Sequence, residues 1–289
     1  MAIKSYKGFD KNLRCRDFQY EIGGIYEMDG KIKMRNRGFH ACESPFDVFD
    51  YYTMIDSRFC EVEQDGNISK EDRRTKICSS KIKIKAELKL ADMINLGVEW
   101  LKEITSPEKI KTSIKDNSSG NDAQIGSSGY NAKIGSSGYG AKIGSSGNNA
   151  KISSSGYNAK IGSSGNDAKI SSSGYGAKIG SSGNNAQIGS SGYNAKIGSS
   201  GNNAQIGSSG YGAKIDRTGE DCVIMCAGIN SVAKASKGSW ITLSEWSYSE
   251  GKQRYIPICV KTEFVDGEKI KADTYYSLKG GVFVEWIND

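Results

Sequence analysis

Between Gly120 and Ile215 the apolar positions recur every nine residues. Ile stands at 125, 134, 143, 152, 161, 170, 179, 188, 197, 206 and 215, with Ala two residues before each. The full phrase is Gly-(Tyr/Asn)-(Asn/Asp/Gly)-Ala-(Lys/Gln)-Ile-(Gly/Ser)-Ser-Ser. Residues two apart on a strand share a face, so Ala and Ile point inward and the Lys or Gln between them points outward. Each phrase predicts a short strand followed by a Ser-Ser-Gly corner, with the glycine expected to supply a positive φ. A period this strict is the signature of a solenoid, in which each coil contacts only its neighbours.

The residue after the glycine sets the coil length. From Tyr139 onward it alternates Tyr and Asn through Asn148, Tyr157, Asn166, Tyr175, Asn184, Tyr193, Asn202 and Tyr211. Two phrases, 18 residues, therefore make one coil. The expected fold is mainly β: a two-sheet parallel β-solenoid flanked by an N-terminal α+β domain and a small C-terminal β region. A three-sided left-handed helix also uses eighteen residues per coil, but in hexads, which a nonapeptide does not match. One side of the two-sheet body would carry Tyr139, Tyr157, Tyr175, Tyr193 and Tyr211 with Lys142, Lys160, Lys178, Lys196 and Lys214. The other would carry Asn148, Asn166, Asn184 and Asn202 with Lys133, Lys151, Lys169, Gln187 and Gln205. The Tyr–Lys side is the candidate binding face, with cations about 4.8 Å apart for a polyanion and rings for stacking. The bland alternative is a solvated face that keeps the sheet soluble.

The flanks have different patterns. Residues 1–115 predict an α+β domain, with strands at Phe18–Ile22, Ile25–Met28, Lys31–Met34, Arg58–Glu63 and Lys76–Glu87. Asp29-Gly30 and Asp65-Gly66 are turn signals. Ser44-Pro45-Phe46-Asp47 opens a helix to about Met54. Leu90, Met93, Ile94, Val98, Leu101 and Ile104 fall at helical spacing, predicting an amphipathic helix over 89–104. Ser106-Pro107 ends it, and 109–119 leads into the repeats. The solenoid domain is assigned to 116–238, with degraded cap coils in which Cys222 takes the Ala slot and Ile224 the Ile slot. Residues 239–289 predict a strand meander at Trp240–Leu243, Arg254–Phe264, Lys269–Lys271 and Gly281–Trp286, either a cap on the solenoid or a sheet of its own.

Composition changes the picture little. The 36 glycines would suggest disorder were they not so regularly spaced. A net charge of +6 permits an anionic partner without demanding one. No secretory signal and no membrane-spanning apolar run are visible, and seven scattered cysteines suggest a reduced, cytoplasmic chain. His40 is the single histidine, in Arg37-Gly-Phe-His-Ala-Cys42. It is a candidate base for Cys42 or Cys15, or a zinc ligand with Cys42, Cys60 and Cys78, yet no CxxC, HExxH, GxSxG or P-loop spacing supports either chemistry. Asp occurs in the regular repeat only at 122 and 167, against the calcium-binding nonapeptide pattern. No metal and no cofactor are expected.

Lys7-Gly-Phe, Cys15, Phe18-Gln-Tyr-Glu-Ile-Gly23, Gly38-Phe-His-Ala-Cys42, Pro45, Asp47-Val-Phe, Tyr51-Tyr52 and Arg58-Phe59 resemble a domain of uncharacterised phage and prophage proteins. In that family the domain similarly precedes Ser-Ser-Gly, Ala, Ile repeats. Gly238-Ser-Trp-Ile-Thr-Leu and Val265-Asp-Gly-Glu-Lys-Ile-Lys-Ala-Asp-Thr are similar to its C-terminal part. The resemblance implies a phage-type protein made in the host bacterial cytoplasm and carries over no catalytic residue. The expected function is a non-enzymatic binding or scaffold protein, counter-defensive in role, that holds a host protein or an anionic nucleotide ligand. A homo-oligomer and no membrane partner are expected. The alternatives are an enzyme with its site near His40 and a virion fibre or adhesin.

Overall fold

The computed structural model of the protein describes residues 2–71, 75–105 and 120–287. The segment expected to lead from Ser106 into the repeats lies outside the described residues. The chain divides into two compact units, 1–100 and 101–289.

The first unit is an antiparallel sheet with two helices. Its strands are β1 (Ile3–Phe9), β2 (Arg14–Cys15), β3 (Phe18–Gln19), β4 (Ile25–Glu27), β5 (Phe39–Cys42), β6 (Arg58–Lys70) and β7 (Lys76–Leu88). β2 and β3 form a separate two-stranded ribbon. The main sheet runs β4-β7-β5-β1-β6, and β6 also pairs with β7, so β1, β5, β7 and β6 close on one another. Phe9, Phe39, Cys60, Val62, Ile82 and Ile84 fill the interior. Helix α1 (Pro45–Val48) is far shorter than the Ser44 signal predicts, and α2 (Leu90–Ile104) matches its apolar spacing. Ser44 makes no side-chain cap bond, and the chain turns away after Val48.

Two turn signals were misleading. Lys31–Met34 forms no strand, and the segment holds only an isolated bridge between Lys33 and Arg37. At Asp65-Gly66 the chain does not reverse. β6 runs through it with a bulge between Asp65 and Ile68, and Gly66 takes φ +74°. A bulge meets the same backbone demand as a turn without ending the strand.

The second unit is a two-sheet β-solenoid of about seven turns over residues 124–243. Strands β8 to β18 follow one another every nine residues, from Gln124–Ser127 through Lys133–Ser136 to Lys214–Arg217. Even-numbered strands stack in one parallel sheet and odd-numbered strands in the other, each pairing with the strand 18 residues on, as Ile143 pairs with Ile161 and Ile161 with Ile179. Ala and Ile of the repeats from Ala141 onward are buried. The series continues as β19 (Val223–Cys226), β20 (Val232–Lys234) and β21 (Trp240–Ser249). There Ile224 takes the Ile slot, and Cys222 lies buried where regular repeats have Ala.

The C-terminal strands join these sheets. β22 (Arg254–Phe264) turns back antiparallel on β21, and β23 (Tyr276–Lys279) does the same on β20 and carries β24 (Val282–Glu285). The reversal ends the parallel stacking. Lys269–Lys271 is not a strand; Asp266 instead accepts the amides of Glu268 and Ile270 in a turn.

Candidate functional site

The sequence-derived binding face is only half open. The five tyrosines lie exposed along one corner, from 41% at Tyr211 to 61% at Tyr157. Tyr157 stacks on Tyr175 and Tyr193 on Tyr211, with centroids 6.0 and 5.9 Å apart. Asn158, Asn194 and Asn230 donate side-chain amide hydrogens to the hydroxyls of Tyr139, Tyr175 and Tyr211. The lysines behave otherwise. Lys142, Lys178, Lys196 and Lys214 are half-buried, Lys160 is buried, and none of the five is free. Lys214 Nζ sits 4.1 Å from the Tyr275 ring centre and 4.3 Å from that of Trp286, contributed by the C-terminal strands. Beside it Lys234 pairs with Asp216 at 3.0 Å.

On the other sheet Lys133, Lys151 and Lys169 are exposed along a shallow groove of about 850 Å³. The Asn row there is structural. Each of Asn148, Asn166 and Asn184 accepts the backbone N–H of the Asn one coil on, at 2.9 Å.

The first unit holds a cavity of about 700 Å³. β1 places Ser5, Lys7 and Phe9 on one inward face by the period of two. Ser5 donates to Gln64 in the interior, and Phe9 packs in the core. Lys7 is 4% exposed, and its ammonium reaches the cavity wall. Its Nζ donates to the His40 carbonyl at 3.0 Å and to Cys15 Sγ at 3.4 Å. It also lies within 5.3 to 5.9 Å of the ring centres of Phe9, Tyr20 and Tyr52. Burial holds the Lys7 amine below its ordinary range.

Arg16, Arg35 and Lys76 complete the basic lining, with Tyr6, Tyr20, Tyr51 and Tyr52 as aromatic walls. Among the described residues lining the cavity there is no carboxylate. Arg35 pairs with Glu71 just outside, and Lys76 Nζ sits 3.9 Å above the Tyr51 ring. Arg16 and Arg35 both take left-handed backbone angles, φ +55° and +65°, a costly conformation for non-glycine residues. Tyr52 donates its hydroxyl to Cys15 Sγ at 2.9 Å. Gly8 backs the Tyr52 ring so closely that a Cβ there would overlap it. Burial, reinforced by the Cys15 contact, pushes the Tyr52 phenol up, so it stays protonated and a donor.

His40 lines the same cavity. Its Nε2 accepts the backbone N–H of Arg35 at 3.0 Å. Burial, with the charges of Lys76 and Lys7, lowers its pKa to about 4. The imidazole is neutral at pH 7, but the nitrogen with the lone pair is already bonded. That geometry gives a positioning group for the 35–40 loop rather than a free base. Cys42 also lines the cavity and is buried. Cys78 lies opposite His40 across the β5–β7 pair, and burial pushes the thiols of Cys60 and Cys78 up, to about 12 at Cys60. Among the described residues no group of three or more His, Cys, Asp or Glu is placed to hold a metal ion.

Sequence reading missed Arg16, Arg35 and Lys76 as site residues, and above all Lys7. Its signal is the alternation Ser5, Lys7, Phe9, obscured because β1 also carries Lys4 and Gly8 and has no flanking turn residue before it. No helix among the described residues is long and apolar enough to cross a membrane. No curated protein and no solved structure matches the chain. Residues 3–96, the unit that contains this cavity, are similar to a family described as a domain of unknown function (DUF7666).

Proposed function

We propose that the protein is a non-enzymatic binding protein whose N-terminal cavity takes up an anionic small molecule of the nucleotide class. The observation that carries this is the lining: Lys7, Arg16, Arg35 and Lys76 around about 700 Å³ with no carboxylate among the described lining residues. A buried ammonium without a carboxylate partner is costly, and an anionic ligand offsets that cost. Tyrosine walls add faces on which a base can stack. In this reading the solenoid is a scaffold, and the protein acts by sequestration. Such a role suits the phage-type setting and host cytoplasm implied by the resemblance, and a homo-oligomer formed through the second unit. The occupied lone pair of His40 speaks against the enzyme reading centred on it.

Calorimetric titration of the full chain with nucleoside mono-, di- and triphosphates tests the proposal. Binding is expected to strengthen with phosphate number and to weaken as salt rises, as screening of a cationic site requires. Affinity that is independent of salt and of phosphate number would contradict it.

A further inference from the structure

The cavity wall holds a thiol that simple anion binding does not use. Cys15 Sγ is the shared acceptor of two donors, Lys7 Nζ at 3.4 Å and Tyr52 Oη at 2.9 Å. Cys15 is partly exposed and lines the cavity, whereas Cys42, Cys60 and Cys78 in the same unit are buried. The geometry points to a nucleophilic site in which Cys15 attacks an anionic carbon electrophile held in the cavity, with Lys7 and Tyr52 donating to the sulfur and aiming it. This inference rests on the cavity's being an anion site. It adds covalent capture to binding.

The step balances with water as the destination of the proton. The sulfur lone pair forms an S–C bond. The leaving group departs with the electrons of its bond to that carbon. The thiol proton is released to water, which the partly exposed Cys15 meets, while Lys7 and Tyr52 remain donors to the sulfur. Arg16 and Lys76 on the same wall hold the charge of the electrophile. Gly8 keeps the Tyr52 ring in place, since any side chain there would displace it.

The test is alkylation of the full chain by iodoacetamide and iodoacetate in parallel, followed by peptide mass mapping. Cys259 serves as the internal standard, being the other partly exposed thiol. With two donors on its sulfur and cations along the cavity wall, Cys15 is expected to outpace Cys259 by about tenfold. Lys7→Met is expected to abolish the advantage and Tyr52→Phe to reduce it, with Cys259 unchanged in both. Cys15 is also expected to favour iodoacetate over iodoacetamide more than Cys259 does. Equal rates at the two thiols, or a Cys15 rate indifferent to both substitutions, would overturn the nucleophile even if nucleotides bind. Fast Cys15 alkylation with no preference for iodoacetate would overturn the anionic class of the electrophile, while nucleotide binding stands or falls by its own titration.

Discussion

At the scale of single residues, the repeat is written by two backbone constraints. The Gly of each Ser-Ser-Gly corner was expected to supply a positive φ, and it does not. In the regular coils positive φ falls two residues later, at Asn149, Asn158, Asp167, Gly176, Asn185 and Gly212, for example. The Asn/Asp/Gly variation at that position was visible in the sequence and is the set of residues that tolerate the left-handed region. The corner glycine is needed for space: a Cβ at Gly165 would overlap the carbonyl of Gly147 one coil back. Gly165→Ala is therefore expected to destabilise the second unit by at least about 1–3 kcal/mol, because backbone cannot move aside as a side chain can. Chemical denaturation measures it, and an unchanged midpoint would refute the packing account. His40 gives a pH signature. Its folded pKa of about 4 lies below the ordinary 6.5, so the unfolded chain binds the proton more readily between these values. Its contribution is fully present above pH 6.5 and is lost as pH falls towards 4. His40→Gln is expected to flatten the pH dependence of thermal unfolding in that window. A variant with the same slope as the parent would contradict the buried, neutral assignment.

At the scale of elements, coil length was legible because Tyr and Asn alternate, but a longer period went unread. On the tyrosine side the positive-φ residue is Gly140, Asn158, Gly176, Asn194 and Gly212 in turn. The Asn residues bond back to the tyrosine of the preceding coil, so two coils, 36 residues, form the true repeat there. Deleting 156–191 removes 36 residues and rejoins Gly192-Tyr-Asn where Gly156-Tyr-Asn stood. That variant is expected to melt near the parent. Deleting 156–173, one coil of 18 residues, keeps the sheets but sets Gly176 above Gly140 and forfeits an Asn–Tyr bond, for a small loss. Deleting 156–164, a single nonapeptide, sends every later strand to the opposite sheet and stacks Asn on Tyr, and is expected to be the most damaging. Thermal unfolding of the three ranks them; a nonapeptide deletion as stable as the 36-residue one would refute two-sheet stacking. Elements without such periodicity were read less well. The α1 signal at Ser44-Pro45 started a helix of one turn, and β1 escaped notice because Lys4, Lys7 and Gly8 break its apolar pattern.

At the scale of the whole molecule, the net charge of +6 is divided unevenly between open and engaged cations. The tyrosine-side lysines are half-buried or buried, and Lys214 lies against Tyr275 and Trp286, a contact no periodicity could show because those residues lie far along the chain. Lys133, Lys151 and Lys169 stand open on the other sheet, but their outward neighbours are small and shape no enclosed site. The enclosed basic site belongs to the first unit, assembled from β1, β2, β5, β7 and the segments around Arg35 and Tyr51. Its parts are too far apart in sequence to form a motif, which is why Cys15 and His40 were visible as candidates while Lys7, Arg16 and Lys76 were not. The central claim is that this cavity, and not the solenoid, is the ligand site. Parallel calorimetry on two full-length variants tests it most directly: Arg16→Ala with Lys76→Ala in the cavity, and Lys133→Gln with Lys151→Gln and Lys169→Gln on the solenoid. The account predicts that nucleotide affinity falls by at least about tenfold in the first, roughly 1.4 kcal/mol, and is unchanged in the second. Loss in the solenoid variant with full affinity in the cavity variant would contradict it.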